Sequence, residues 1–240
     1  MNPLFETLLL NNEAVLLFHS NECLSRAADA YQKSLCNVRN LLQEKNPLIE
    51  SALEHSPISP SDQARCHHSF PNVESSTSPS SSSKGFHDNF YLFQRALFLN
   101  DPTADASSPQ EIFNALPIFG SVVLFNTAIL HHKNAALTGQ SSSLDRAQQL
   151  YKASLQLATS RGATNPTDWL IAVAASNNLA QIAHEKGLIE EINERLHDMT
   201  FLLSRGGSLE QLHCIFAVEE IQGFVSNSTM AGKFTSSPAA

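Results

Sequence analysis

Cysteine is scarce. Four (Cys23, Cys36, Cys66, Cys214) are spread over 240 residues, and no Cys-x-x-Cys pair occurs. Such spacing excludes a disulfide scaffold. Cys23 and Cys36 fall in apolar helical patterns, where reduced, buried thiols are expected. Basic side chains are also few: 15 Lys and Arg against 23 Asp and Glu give a formal net charge of −8. That sign repels phosphate backbones, so nucleic acid is excluded as a partner. It also disfavours docking on anionic lipid. The short catalytic signatures are missing too: no GxxxxGK[ST] loop, GxGxxG turn, HExxH helix or GxSxG elbow is present. No enzyme activity and no cofactor are therefore expected. No basic residue precedes the first apolar stretch, and Asn11, Asn12 and Glu13 interrupt it, so no secretory signal is expected. The protein is read as intracellular, cytoplasmic or nuclear.

Helical periodicity dominates what is present. Leu4, Leu8, Val15, Phe18, Leu24, Ala27, Tyr31 and Leu35 recur mostly at three- and four-residue spacings. Residues 1–54 thus form an expected N-terminal helical hairpin. Residues 55–85 are Ser- and Pro-rich with few large apolar side chains. They cannot bury enough surface to offset ordering entropy, and form an expected disordered insertion. Residues 86–226 carry the remaining helices, which pack with the first hairpin, and 227–240 form a small, polar, flexible tail. Within this frame 86–99 reads as either a buried strand or a short helix. Helices are expected from about Pro117, from Leu144 after a Thr138–Ser143 loop, from a Thr167 or Asp168 cap, after Gly187, and over Leu209–Phe224. The uncharged run 112–130 approaches membrane-spanning length, but Asn114, Pro117, Gly120, Ser121, Asn126 and Thr127 dilute it. A buried helix accounts for the same residues, and a membrane partner is set aside.

The most specific feature is internal. Leu24-x-Arg26-Ala27-x3-Tyr31-x2-Ser34-Leu35 recurs as Leu144-x-Arg146-Ala147-x3-Tyr151-x2-Ser154-Leu155. A small Ala lets a neighbouring helix approach, and an aromatic one turn later fills the gap. This Ala-x3-aromatic step resembles the second helix of the tetratricopeptide repeat (TPR). An Phe125-Asn126-x-Ala128-x2-His131-His132 helix before the Arg146–Tyr151 helix is similar to uncharacterised TPR-like proteins of unicellular algae. In a third unit Asn178-Leu179-Ala180 and Ala183 precede Gly187, with Ile192 and Leu196 in place of the Ala/aromatic pair. The consensus Trp and terminal Pro are missing, and the second hairpin reads as having an enlarged loop. The resemblance implies an all-α fold of antiparallel hairpins stacked as a short right-handed superhelix, interrupted by the Ser/Pro-rich insertion.

It also implies a function: a non-catalytic interaction module whose first helices form a groove for a partner peptide or helix. In the register of the resemblance the groove residues are Asn12, Leu16 and His19, then Phe125, Ile129 and His132, then Asn177, Gln181 and His184. Each triplet ends in His, either as a shared stripe or as solvated helix-end histidines. Clamps for a C-terminal carboxylate need basic residues where this chain has Asn12, Phe125 and Asn177, so that partner class is excluded. The acidic C-terminal third (Glu185, Glu190, Glu191, Glu194, Asp198, Glu210, Glu219, Glu220) suits a basic or amphipathic partner segment, although solvated helix faces look the same. No metal is expected: Cys66-His67-His68, with His55 and His87, lacks the spacing of a closed zinc site. Ser56, Ser59, Ser78 and Ser108 each precede Pro, a pattern for proline-directed phosphorylation or for plain low complexity. The competing functional readings are a small enzyme with a His-lined helical cleft and a membrane-associated adaptor using 112–130.

Overall fold

A computed structural model describes residues 3–20, 24–43, 90–99, 109–160, 162, 165–205, 212 and 214–230. They contain seven helices: α1 (Pro3–Ser20), α2 (Leu24–Gln43), α3 (Pro109–Thr138), α4 (Ser141–Ser160), α5 (Pro166–Glu185), α6 (Ile189–Arg205) and α7 (Val218–Ser228). Each packs antiparallel against the next in sequence, and α3 also touches α1 and α5. The fold is all-α, and no strand occurs among the described residues.

The helices divide by composition. The second members α2, α4 and α6 carry one apolar stripe and a polar outer face, while α1, α3 and α5 are rich in apolar residues. Helices that are apolar over most of their surface belong inside, and α5 buries an unbroken run from Asp168 to Ala180. Ala27 and Ala147 are fully buried at the helix contacts, with Tyr31 and Tyr151 one turn on. Phe18, Ala128, Leu179 and Ala180 are buried as well, and Ile192 and Leu196 fill the third unit. The helix between Ala115 and Thr138 is the one described helix long and apolar enough to cross a membrane, yet 78% of its apolar window is buried inside the protein.

Two equivalent bonds fix how the first two hairpins align. The Ser34 hydroxyl donates to the Thr7 carbonyl at 3.2 Å, and the Ser154 hydroxyl to the Ser121 carbonyl at 2.7 Å. Thr7 thus corresponds to Ser121, Asn12 to Asn126, Phe18 to His132 and His19 to Lys133. The expected register, which matched Asn12 to Phe125 and His19 to His132, is shifted by one residue in α1. The second hairpin is longer because its first helix is longer, 30 residues against 18, while the second helices have 20 each. Helix α3 runs on to Thr138, and α4 begins at Ser141 rather than Leu144, leaving a two-residue turn instead of an enlarged loop. Gly139 makes that turn at φ 69°, a left-handed conformation that other residues adopt at a cost.

Other boundaries move too. Pro117 lies inside α3, which already starts at Pro109. Asn165 caps α5, its side chain accepting from the Asp168 amide at 2.8 Å, with Pro166 starting the helix. Thr167 and Asp168 are therefore inside the first turn. The last helix covers Val218–Ser228; Leu212, Cys214 and Ile215 are also helical, and Phe216 and Ala217 break the single helix expected over Leu209–Phe224. Asn227 is fully buried and Met230 nearly so, so the tail expected from residue 227 is packed through 230, and residues 231–240 lie outside the described residues. The expected insertion at 55–85, the Cys66/His67/His68 cluster with His55 and His87, and Ser56, Ser59, Ser78 and Ser108 lie outside the described residues.

Candidate functional site

Phe90–Leu99 is neither helix nor strand. It is extended, and the first helices α1, α3, α5 and α7 hold it by side chains. A buried backbone needs partners for its N–H and C=O groups; here asparagine provides them. Asn227 of α7 accepts from Tyr91 N at 2.9 Å and donates to Tyr91 O at 2.8 Å. Asn178 of α5 does the same for Phe93, at 3.0 and 2.9 Å. Asn126 of α3 holds Leu97 N and O, both at 2.8 Å. Asn12 of α1 holds Leu99 N and O, also both at 2.8 Å. A primary amide carries an acceptor and a donor side by side, which matches the N–H and C=O of one extended residue. The contacted positions are 91, 93, 97 and 99, so the segment runs from α7 towards α1, against the order of the helices.

The ladder is cross-braced. Asn177 donates to Tyr91 O at 2.9 Å and accepts from Asn227 at 2.7 Å. Asn11 donates to Leu97 O at 3.2 Å and accepts from Asn126 at 2.9 Å. The remaining N–H of Asn178 reaches the Tyr151 hydroxyl at 3.0 Å. Between the rungs, Arg95 is held through its side chain. Its guanidinium grips both carboxylate oxygens of Glu220 on α7, at 2.9 and 3.1 Å, and donates to the Ile215 carbonyl at 2.8 Å. Glu220 is itself placed by its bond from the Ala217 amide at the start of α7.

Apolar seats lie beneath. The Phe93 ring is fully buried among Phe125, Phe216 and Phe224. The Tyr91 ring stands edge-on to Phe224 and occupies the space over Gly223, where an added Cβ would come within 2.2 Å of it. Burial, and then the nearby Glu220 carboxylate, push the Tyr91 phenol up to about 12, with Arg95 opposing. Ala96, Leu97 and Leu99 are buried, whereas Gln94 and Phe98 face out.

The sequence-derived groove residues scatter around this site. Asn12 and Asn177 bond to the segment, Phe125 packs under Phe93, and His184 stacks on Phe90 with ring centroids 5.6 Å apart. Ile129 is buried, Gln181 is half-buried and bonds to Glu185, and Leu16 and His19 are exposed. His132 is only 2% exposed, edge-on to Tyr151 and 3.8 Å from Glu185. The three histidines therefore do not form one stripe. His132 is packed between helices, and His184 lies against Phe90. Asn11, Asn126, Asn178, Asn227, Glu220 and Gly223 escaped the sequence reading as site residues. The available signal was asparagine on every first helix, a residue with no helical preference of its own. No group of three or more His, Cys, Asp or Glu suited to a metal is present among the described residues. No protein-family model matches the chain, and no curated protein or solved structure matches it.

Proposed function

We propose that the protein is a non-catalytic interaction module of TPR-like helical-hairpin type, working inside the cell without a cofactor. Its first helices would stack in the right-handed sense of that family and present a groove that binds extended polypeptide by its main chain. The observation that carries this reading is the asparagine ladder, in which Asn12, Asn126, Asn178 and Asn227, on α1, α3, α5 and α7, each pair with the N–H and C=O of one residue of Phe90–Leu99. Paired main-chain bonds at alternating positions are how a protein surface grips an extended chain largely irrespective of sequence. The buried span of α3 supports a core helix over a membrane adaptor.

The test opens the face within the full-length chain by replacing residues 90–99 with a Gly/Ser linker. A labelled peptide of sequence Phe90–Leu99 is then titrated by fluorescence anisotropy. Saturable binding is expected, weakened roughly tenfold by Asn178→Ala or Asn126→Ala, the loss of about one net hydrogen bond's worth of free energy. Circular dichroism checks that each variant stays helical. Absent binding, or binding indifferent to both asparagines, overturns the proposal.

A further inference from the structure

The asparagines read only main chain, which every peptide offers. Sequence is read elsewhere along the same ten residues. Gly223 leaves room for a ring that any side chain there would exclude. Phe125, Phe216 and Phe224 enclose a second ring two residues on. Glu220 receives a guanidinium through both oxygens, a geometry lysine cannot reproduce. Leu97 and Leu99 then fill the end towards α1. The segment lies on the helical face from outside: Gln94 and Phe98 are exposed, and Arg95 keeps 42% of its side-chain surface. The helix pairs close on one another beneath it, as Phe125 on Tyr151 shows. It can therefore leave without separating those pairs. Its departure would return the buried Phe93, Leu97 and Leu99 and the apolar seats beneath them to water, which costs free energy, so exchange for another occupant is favoured over an empty face. In sequence the segment follows α2 after residues 44–89 and precedes α3 by residues 100–108.

Resting on the peptide-binding reading above, we infer that Phe90–Leu99 is a resident occupant of the site. The partner that displaces it is an extended peptide with the same alternating pattern: aromatic, aromatic, arginine, then two leucine-sized apolar residues at every second position. An occupant on the same chain competes at an effective concentration on the order of millimolar. Loosening it therefore strengthens binding of a peptide in trans, a sign opposite to that expected for damage to a binding site.

The experiment uses the full-length chain and the labelled Phe90–Leu99 peptide. Arg95→Glu sets a carboxylate against Glu220 at a part-exposed position and leaves the buried rings untouched; Arg95→Gln serves if that variant loses helicity. The loosened chain should bind the peptide at least tenfold more tightly than wild type does. A peptide with Glu at the arginine position should lose at least tenfold on the loosened chain, and Glu220→Gln in that chain should abolish the preference. Equal affinity of wild-type and loosened chains overturns the inference, because the resident segment is then no competitor. Equal affinity of the loosened chain for both peptides overturns the sequence pattern while leaving main-chain recognition standing. No binding by any folded chain means that the segment is a permanent strap, and overturns both.

Discussion

Tyr31 and Tyr151 occupy the same place in two copies of one helix, and their hydroxyls fare differently. Both rings are fully buried. The Tyr151 hydroxyl receives an N–H of Asn178, whereas that of Tyr31 has no hydrogen-bond partner among the described residues. The cause lies in the asparagine of the following first helix. Asn178 spends one N–H on Phe93 and the other on Tyr151. Asn126, its counterpart, spends one on Leu97 and the other on Asn11. Two hydrogens per amide cannot serve three acceptors, so Asn126 has no N–H left for a tyrosine hydroxyl. The duplicated helix sets the packing, and the occupied face decides the polar contacts.

Truncation should treat the two tyrosines alike. Tyr31→Ala and Tyr151→Ala should each cost about 3–5 kcal/mol, the range for buried aromatics, measured by urea unfolding. A large difference would show that the two hairpins are not packed equivalently. Next, Asn178→Ala and Asn126→Ala should each cost about 1–3 kcal/mol by orphaning buried groups. Hydrogen exchange should speed up at Phe93 in the first and at Leu97 in the second. The hydroxyls alone separate the hairpins. Tyr151→Phe should cost about 0.5–1.5 kcal/mol, while Tyr31→Phe should be neutral or stabilising, because it removes a buried group that has no partner. Equal losses would falsify the contrast.

The smallest effect is a pH slope. Burial, and then the Arg146 charge, lower the His131 pKa from 6.5 to about 4. The folded protein thus favours neutral His131, and the unfolded chain binds the extra proton first. Its contribution is complete above about 6.5 and is lost as pH falls towards 4. The first hairpin has Leu17 at this position, and its Arg26 lies 3.8 Å from Glu13 instead. His131→Leu should therefore flatten the dependence of urea midpoint on pH between 6.5 and 4.

The fold was legible where it is local. The Ala27/Tyr31 and Ala147/Tyr151 steps and the Gly187 turn announce helices and their ends, because neighbours in sequence decide them. The register of α1 was missed by one residue, because an apolar helix gives little phase information and the serine bonds to Thr7 and Ser121 are tertiary. Phe90–Leu99 showed neither period clearly, and its structure explains why: the partners of its backbone are side chains up to 136 residues away. By composition the acidic C-terminal third suits a basic or amphipathic segment, and solvated helix faces look the same. One of those acids, Glu220, holds Arg95 of the same chain, a pairing that charge composition cannot locate.

Stacks of helical hairpins ordinarily touch only their neighbours, so their ends can fray while the middle persists. Here one extended stretch is bonded in turn to α7, α5, α3 and α1, in reverse of the order in which they follow along the chain. Loss of either end of the stack also removes rungs that the other end relies on. Successive helix pairs are thereby tied together by one stretch of the chain's own backbone, and their melting should be correspondingly all-or-none.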